Sequence, residues 1–384
     1  MKFTVHKSTL MDCLTLAIGT VSNKNTITSL EGVLLETMGD GSVRLSTYDM
    51  NKGVRCHLTP SEIEREGRFI INASRLYQTV RVLPDDELTI DINDKLNCTI
   101  SCGKASFSMF AMRGEDFPNL PELETDRGFV IKAEILSRMI GKVAHSISDM
   151  DNRPMLRGAF FKINKDGIEV VSCDGYILSK CNMVCDIEYM GSAAGELSFI
   201  IPGHALGEIT KIIDAGEEDV KFFLARKHAI IRTGDTVFFT RTIDSEYLDY
   251  NRMIANENNI FVTVNRERVL SGLERANIVA DEKIQGKGKS HVKIATDGDL
   301  LTLTSASVNG KVYDEMECIH EGGEIEICFN CRYLINTVKV AEGENIRISM
   351  LKYDKAITIE PAEPDGEFSY FYMILPLKIR ENDN

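Results

Sequence analysis

Residues 68–92 read RFIINASRLYQTVRVLPDDELTIDI, and the same pattern returns twice further along the chain. The second copy is SFIIPGHALGEITKIIDAGEEDVKFFL at 198–224, and the third is EIEICFNCRYLINTVKVAEGENIRISM at 324–350. In each copy an apolar strand leads into an amphipathic helix, and an acidic turn then leads into an alternating strand. Leu76, Leu206 and Leu334 correspond, with separations of 130 and 128 residues. The pattern therefore predicts three similar units.

Each predicted helix has a recognisable start and one apolar face. Asn72, Pro202 and Asn330 occupy the same place at the three starts. Asn is a good N-cap, and Pro fits the first turn of a helix. The apolar residues that follow recur at helical spacing, so we expect them to face the core. They are Leu76, Val80 and Leu83 in the first copy, Leu206, Ile209 and Ile213 in the second, and Leu334, Val338 and Ala341 in the third.

A second strand–helix pattern precedes each copy, so each unit contains two such modules. It reads KFTVHKSTL from Lys2, GFVIKAEIL from Gly128 and IFVTVNRERVL from Ile260. Asp-Gly pairs at 40–41, 166–167 and 297–298 lie between alternating segments, which is a strong hairpin signal. We therefore predict an α+β fold with six helices and much antiparallel sheet. The predicted domains are residues 1–126, 127–256 and 257–384.

The composition is that of a globular protein. The chain has 384 residues, of which 43% are hydrophobic and 27% charged. It contains no apolar run of about 18 residues, so we expect no contact with a membrane. The start, MKFTVHKSTL, lacks the apolar core of a signal peptide. We therefore expect a cytoplasmic protein whose ten cysteines are reduced thiols.

The positions of the charged residues along the chain are more informative than the net charge. The net charge of −14 argues against a nucleic-acid-binding protein. The predicted helices nevertheless carry twelve basic and five acidic residues, while acids gather in turns such as 84–87 and 215–219. Basic helix faces can hold DNA through its phosphates without reading its sequence. Alternatively, they are solvated surfaces made of good helix formers.

The sequence contains no catalytic constellation. The segment GKGKS at 286–290 lacks the first glycine of a phosphate-binding loop, because Lys283 stands there. Cys328 and Cys331 form a C-x-x-C without a second pair, and the seven histidines show no metal-ligand spacing. No G-x-S-x-G is present. We therefore expect no metal, no cofactor and no enzyme activity.

Two other classes of function remain as alternatives. An enzyme that processes nucleic acids could use the acidic turns to bind Mg²⁺. The recurrence of these acids in all three units argues against this, because active sites are seldom triplicated. A repeat-built interaction scaffold that does not bind DNA is the other alternative, and clustering of the basic residues on one surface would separate it from a DNA-binding protein.

Five short segments carry a resemblance to a known family. They are DFPNLP (116–121), NRPMLRG (152–158), SCDGYIL (172–178), FNCRYL (329–334) and MILPLKI (373–379). In this order, and with the three repeats, the whole chain resembles the bacterial DNA sliding clamps, the beta subunit of DNA polymerase III. The resemblance implies the DNA-clamp fold, in a head-to-tail dimeric ring that encircles duplex DNA and slides on it. Such a ring is a processivity factor without catalytic activity.

The resemblance also implies the partners and a lining of basic residues around the DNA. The partners are double-stranded DNA, the clamp loader, the replicative polymerase and other proteins with clamp-binding motifs. Lys24 lies after the first helix, where the family often has a basic residue. Met150, Pro154 and Met155 depart from the polar or aromatic residues that relatives can have in that loop. From helix position, the other candidates for the lining are Arg75, Arg138, Lys142, Lys211, Arg268, Arg275, Arg332 and Lys339.

A hydrophobic pocket that captures short peptides is the second site that the resemblance implies. Leu248 stands where some relatives have Pro, and Ile177 where some have Arg, which could change the peptides preferred. Alternatively, the C-terminal MILPL run is an edge strand that packs on its own domain, and both interpretations can hold. The matching positions are Arg153, Cys173, Gly175, Tyr176, Ile177, Leu178, Leu248, Arg252, Met253, Ala356, Met373, Leu375, Pro376 and Leu377.

The dimer interface is implied to join the first domain of one chain to the third domain of the other. Phe107 and Met109 correspond to an edge strand, and Ile278 and Val279 correspond to its partner at the end of the fifth helix. Ordinary core packing is the alternative for these four residues. The tail from Arg380 to Asn384 extends beyond the family's usual end and receives no role.

Overall fold

A computed structural model gives the structure of the chain. It describes residues 1–21, 27–193, 195–214, 218–254, 257–280, 291–307 and 310–377. Three features singled out in the sequence lie outside these residues. They are Lys24, the segment GKGKS and the tail from Arg380 to Asn384.

The described residues contain six α-helices, and a strand ends directly before each of the first five and one residue before the sixth. This confirms the strand–helix pattern read from the sequence. Within the observed bounds the helices hold eleven basic and six acidic residues, because Lys132 ends a strand and Asp214 falls inside a helix. The helices are α1 (Lys7–Ile18), α2 (Ala73–Val82), α3 (Ala133–Val143), α4 (Gly203–Asp214), α5 (Arg266–Ala280) and α6 (Cys331–Val340).

Strands make up most of the remaining regular structure. Those in the first third of the chain are β1 (Lys2–His6), β2 (Gly32–Thr37), β3 (Val43–Tyr48), β4 (Lys52–Leu58), β5 (Glu62–Arg65), β6 (Arg68–Asn72), β7 (Glu87–Ile92), β8 (Asn97–Cys102), β9 (Ala105–Arg113) and β10 (Arg127–Lys132). The middle of the chain forms β11 (Gly158–Asn164), β12 (Gly167–Cys173), β13 (Ile177–Val184), β14 (Glu188–Gly191), β15 (Leu197–Pro202), β16 (Asp219–Leu224), β17 (His228–Thr233) and β18 (Thr236–Arg241). The last are β19 (Ile260–Asn265), β20 (Val292–Asp297), β21 (Leu300–Ala306), β22 (Lys311–Glu317), β23 (Ile319–Glu321), β24 (Glu326–Phe329), β25 (Asn345–Met350), β26 (Ile357–Pro361) and β27 (Phe368–Ile374).

The local signals in the sequence act as predicted. The side chain of Asn72 accepts a hydrogen bond from the N–H of Arg75 at 3.0 Å, and Asn330 does the same for the N–H of Arg332. A cap of this kind stabilises a helix by about 1 kcal/mol. The three Asp-Gly pairs lie in hairpin turns, and their glycines all have positive φ. The nine apolar helix positions predicted to face the core are all buried.

The contacts within the chain divide it into two compact units. The first comprises Met1–Ser137, Ile187–Ala194 and His204–Thr242, and the second comprises Arg138–Asp186, Gly195–Gly203 and Ile243–Asn384.

The first unit is built on one 14-stranded sheet. Its strand order is β14-β10-β16-β17-β18-β4-β3-β2-β6-β9-β8-β7-β1-β5. Helices α1 and α2 cover one face, where Leu10 and Leu76 pack with Leu35 and Leu45. Because side chains alternate along a strand, Leu34 points to the opposite face. There the segment after β9 covers the sheet through Phe117, Leu120 and Leu123.

The second unit contains two sheets. The larger has the order β15-β11-β12-β13-β27-β26-β25-β19-β23, and the smaller has the order β22-β21-β20-β24. The last strand, β27, therefore lies inside the larger sheet and pairs with β13 on one side and β26 on the other. Helices α5 and α6 pack together, and the thiol of Cys331 donates to the carbonyl of Leu273 at 3.3 Å. The interpretation of the MILPL run as an edge strand is therefore wrong for Met373 and Ile374, because β27 has a neighbour on each side.

Two kinds of feature are absent from the described residues. None of the helices there combines the length and the apolar character that a membrane span requires. No group of three or more His, Cys, Asp or Glu residues within the described ranges could hold a metal ion.

Candidate functional site

Residues from four separate segments of the second unit meet in one apolar cluster, which we call the pocket cluster. Cys173 at the end of β12 lies opposite Leu178 of β13, and Leu178 lies opposite Met373 of β27. Leu248 and Ala356 pack against these three side chains. Five of the predicted pocket positions are therefore brought together, although up to 200 residues separate them in the sequence.

The turn between β12 and β13 explains why this part of the sequence reads CDGY. The carboxylate of Asp174 accepts hydrogen bonds from the N–H groups of Tyr176 and Ile177 at 2.8 and 2.7 Å. Gly175 has a φ of +91°, which favours glycine, and its N–H donates to the sulfur of Cys173 at 3.3 Å. The turn thus holds Tyr176 outward while Cys173 stays buried.

The C-terminal segment is fixed through its backbone. The N–H of Leu375 donates to the carbonyl of Tyr176 at 2.9 Å, and the N–H of Leu377 donates to the carbonyl of Cys328 at 2.8 Å. Pro376 lies between them and has no N–H to donate. Since the backbone carries these contacts, the side chain of Leu375 remains 41% exposed beside the pocket cluster.

Exposed apolar and charged side chains surround the pocket cluster. Met253 and Tyr176 are exposed, and the ring of Tyr176 lies 5.6 Å from that of Tyr333. Arg252 pairs with Asp249 at 2.8 Å. This combination of an apolar centre and a polar rim is typical of surfaces that bind peptides.

A second ion pair belongs to this rim. Arg153 pairs with Asp151 at 2.9 Å, and the hydrogen bonds that it donates lower the pKa of that carboxyl to about 2. Asp151 is therefore ionised at neutral pH. The added Cβ of an alanine at Gly175 would lie 3.2 Å from the guanidinium of Arg153, so the glycine leaves room for this pair.

Some residues of the pocket cluster were not predicted, and nine of the fourteen predicted positions are not members of it. Ile177 is buried and pairs with Ile374, but it is not part of the cluster. Pro376 and Leu377 are half-buried. The period-two pattern could have found Val171 and Phe371, because each lies two residues before a predicted position on the same strand. The cluster also contains Met155, Leu156, Phe160, Val171, Tyr247, Tyr250, Ile254 and Phe371.

Most of the predicted DNA-binding residues are exposed on helices. Arg75 and Arg332 are exposed near the starts of α2 and α6. Lys211 is 65% exposed and lies 3.3 Å from Glu208 on the same helix. Lys339 pairs with Glu274 at 3.1 Å. Exposed pairs of this kind are weak, so these cations remain able to contact a polyanion.

Arg268 and Arg275 line a polar groove on α5. The groove has a volume of about 560 Å³, and Asp314 and Glu315 of β22 form its other wall. The guanidinium of Arg275 donates to Asp314, with 2.7 Å between Nε and Oδ2. The groove therefore holds both signs of charge rather than a purely basic surface.

Lys142 does not have the exposed position that a place in the DNA lining requires. Its side chain is only 5% exposed, and its ammonium lies 2.7 Å from Glu342 and 4.6 Å from the ring centre of Tyr370. It also donates to the carbonyl of Val340 at the end of α6. The prediction of an exposed Lys142 is therefore wrong, because the end of α6 and its neighbouring acid cover the ammonium.

Arg138 is already paired within the second unit. Its guanidinium lies 2.6 Å from Glu342 and 3.1 Å from Asp365, and it stacks over the ring of Phe368 at 4.0 Å. Its side chain is half-buried. DNA would have to compete with two carboxylates for this residue, so Arg138 is a weaker candidate than the exposed cations.

The predicted interface residues lie on unpaired edges or exposed faces. In β9, residues 105–110 pair with β8 alone, and Phe107 and Phe110 are exposed there. Met109 instead packs partly against the core. Ile278 is 73% exposed near the end of α5, where Val279 is half-buried. Among the described residues β22 pairs only with β21, so it offers a second free edge that the sequence analysis missed.

Comparisons with known proteins identify the family of the chain. The models of the DNA polymerase III beta subunit match its N-terminal domain at residues 1–121, its central domain at 130–249 and its C-terminal domain at 251–378. The beta sliding clamp of Bacillus subtilis (strain 168) is 25% identical, over 98% of this chain and 100% of its own.

Solved structures give the same result. A putative DNA polymerase III beta subunit from Eubacterium rectale ATCC 33656 is 25% identical, with a TM-score of 0.89 over 99% of this chain and 100% of its own. The beta subunit from Thermotoga maritima has the same identity, TM-score and coverage. The chain therefore belongs to the DNA polymerase III beta subunit family, and it is a sliding clamp, a non-catalytic processivity factor of DNA replication.

Proposed function

We propose that this clamp contacts DNA through the exposed basic residues of its helices and captures partner proteins at the pocket cluster. As a sliding clamp it forms a dimeric ring and binds DNA, the clamp loader and the replicative polymerase. Its proposed place of action is the cytoplasm. The proposed domains remain residues 1–126, 127–256 and 257–384.

The pocket cluster is the observation that carries the proposal. Its apolar centre is made by β12, β13 and β27, and Met253, Tyr176 and Leu375 are exposed around it. A peptide with two or three apolar side chains could bury them here while its backbone stays in water. Methionine side chains are flexible, so a surface with Met253 and Met373 suits several different peptides.

The proposed DNA contacts are non-specific. They comprise Arg75, Lys211, Arg268, Arg275, Arg332 and Lys339, with Arg138 as a weaker contact and Lys24 as a candidate outside the described residues. Lys142 is left out because its ammonium is buried. Contacts from lysine and arginine to phosphate groups carry no sequence information, so they permit sliding.

The proposed dimer interface uses unpaired strand edges. Residues 105–110 of β9 and the outer edge of β22 each have free N–H and C=O groups on one side. An edge strand readily pairs with a strand of another chain. Phe107 and Ile278 would then bury their exposed side chains in the interface, with Met109 and Val279 beside them.

Retention on circular DNA tests the proposal directly. The clamp is loaded onto closed circular and linear duplexes with a cognate clamp loader and ATP, and the circle is then cut. We expect retention on the circle and loss after cutting, because a ring is held by topology. Equal retention on both forms would show that direct contacts hold the protein, and the scaffold or enzyme alternatives would return.

Two variants test whether the pocket and the dimer interface act independently of each other. Leu375→Ala should lose loading, because the clamp loader uses the pocket, while the dimer remains intact. Phe107→Asp should instead yield monomers that still bind a clamp-binding peptide. If both variants lost both properties, the two sites would not be independent.

A further inference from the structure

Three arginines gather around one glutamate on the sheet of the first unit. Arg44 of β3 and Arg68 of β6 both lie directly opposite Glu36 of β2. Arg55 of β4 lies opposite Ser46, which is two residues from Arg44 and so on the same face. We call these four charged residues the arginine cluster.

The arginine cluster lies on the face of the sheet that α1 and α2 do not cover. Leu35 packs with those helices, and the alternation of side chains puts Leu34 and Glu36 on the opposite face. Leu34 there belongs to the core that Phe117 and Leu120 complete. The cluster is thus separate from the basic residues of α1 and α2 within this unit.

The charges of the arginine cluster are not balanced. Arg44 and Arg68 share Glu36, with contacts of 2.5 and 3.5 Å. Arg55 donates to the carbonyl of Pro121 at 3.0 Å and lies 5.4 Å from the ring centre of Phe239. Among the ion pairs of the described residues, Glu36 is the sole acid that any of the three arginines reaches. Two positive charges therefore remain in surplus.

Burial makes the unbalanced positive charge of the arginine cluster energetically more unfavourable. The Nε atoms of Arg44, Arg55 and Arg68 are all buried, and none of them forms a hydrogen bond, although that of Arg68 lies 3.5 Å from Glu36. These three are the only arginine atoms of that kind in the part of the chain that the structure describes. A buried donor without a partner is unfavourable, and like charges held close together add repulsion. Burial and the neighbouring Arg44 lower the pKa of Arg55 accordingly.

We propose that the arginine cluster is a binding site for an oxyanion, a phosphate group or a carboxylate. A guanidinium donates two parallel hydrogen bonds to either group, and a doubly charged phosphate would match the surplus of two charges. The side chains of Arg44, Arg68 and Glu36 are 26%, 36% and 25% exposed, so a small anion can reach them from solvent. Glu36 occupies part of the site and competes with the anion.

Thermal unfolding in the presence of anions tests the proposal. The whole protein is melted in increasing inorganic phosphate, with chloride added to keep the ionic strength constant, and in increasing hexaglutamate. The variants are Arg44→Gln with Arg68→Gln, and Glu36→Gln. Arg65→Gln is the matched control, because Arg65 forms an exposed pair with Asp91 on the same unit.

The two variants should change the anion concentration needed for a given stabilisation in opposite directions. The double arginine variant should need at least about tenfold more anion for the same stabilisation, since it loses two charge-assisted contacts. Glu36→Gln should need less anion than the natural protein, because the competing carboxylate is gone. A cluster that only stabilises the fold would not gain affinity for anions through that change. Arg65→Gln should behave as the natural protein does.

The two probes distinguish the sources of the oxyanion. A response to phosphate at lower concentration than to hexaglutamate assigns the site to phosphate groups, and the reverse order assigns it to carboxylates. The proposal is overturned if neither probe stabilises the protein. It is also overturned if the shifts are the same in the double variant and the control, which would show general ion effects.

Discussion

The ammonium of Lys142 lies 2.7 Å from the carboxylate of Glu342, and only 5% of the lysine side chain is exposed. The pair joins residues that are 200 positions apart in the sequence. A lysine is rarely buried unless it is paired. Here the carbonyl of Val340 and the ring of Tyr370 supply the remaining contacts of the ammonium.

Replacing Lys142 should destabilise the protein rather than weaken DNA binding. Lys142→Met should cost about 1.5–3 kcal/mol, because a hydrogen bond to a charged group is lost in a buried place. Lys211→Met is the matched control and should cost less than about 0.5 kcal/mol, since the side chain of Lys211 is 65% exposed. Thermal unfolding measures both. A small and equal loss of stability in both variants would contradict a stabilising role for the Lys142–Glu342 pair.

Acid should destabilise the protein partly through His145. Burial, with a smaller effect of Lys142, lowers the pKa of His145 to about 4. The unfolded chain binds this proton near pH 6.5, so the unfolded state gains protons first as the pH falls. The contribution of neutral His145 to the free energy of unfolding is therefore fully present above about pH 6.5. It is lost as the pH falls towards 4, and the loss amounts to about 3 kcal/mol.

The measurement compares unfolding at pH 7 and pH 5. His145→Gln should show a smaller loss of stability between the two values than the natural protein, because glutamine does not titrate. A full pH dependence in His145→Gln would assign the acid sensitivity to other groups.

Charge reversal on exposed helices should reduce DNA residence more than reversal at paired positions. Arg75→Glu with Lys211→Glu should shorten residence on circular DNA and reduce the slope of log K against log salt by about 0.9 for each lost contact. Arg138→Glu should have a smaller effect, because Glu342 and Asp365 already neutralise Arg138. Equal effects would mean that DNA displaces these carboxylates.

Truncation at the rim of the pocket cluster should weaken partner binding without unfolding the chain. Leu375→Ala should weaken a clamp-binding peptide by about tenfold, since the loss of one buried apolar side chain costs about 1.4 kcal/mol. Fluorescence anisotropy with a labelled peptide measures this. Leu300→Ala, a similarly exposed leucine in β21, should leave the affinity unchanged. An unchanged affinity in Leu375→Ala would exclude this residue from the pocket.

A charge at the end of α5 should weaken the dimer. Ile278→Asp puts a carboxylate into the proposed interface, and the dissociation constant should rise by about tenfold or more. Sedimentation velocity over a range of concentrations measures the dimer. Ile319→Asp is the control, because Ile319 is equally exposed but lies on β23. Loss of the dimer in both variants would point to a general effect of added charge.

The sequence predicted the elements that depend on local signals. Asn72 and Asn330 cap their helices, and the Asp-Gly pairs form turns, because these effects involve residues only a few positions apart. The buried helix faces followed from spacing alone. The α+β class and the family were therefore accessible from the sequence.

Long-range contacts could not be read in the same way. The position of Lys142 on its helix made it a candidate for the DNA lining, but the end of α6 covers it. The sequence around residue 142 contains no sign of that neighbour. The free edge of β22 was missed for the same reason, since it depends on which strands pair elsewhere. The arginine cluster likewise arises only when β2, β3, β4 and β6 lie side by side.

The position of β27 inside its sheet has a consequence for synthesis on the ribosome. Phe368–Ile374 is the last strand, and it pairs with β13 and β26 on its two sides. The pocket cluster includes Met373, so it cannot be complete until the residues up to β27 have left the exit tunnel. A nascent chain that ends before β27 thus lacks one of the strands that build the proposed pocket.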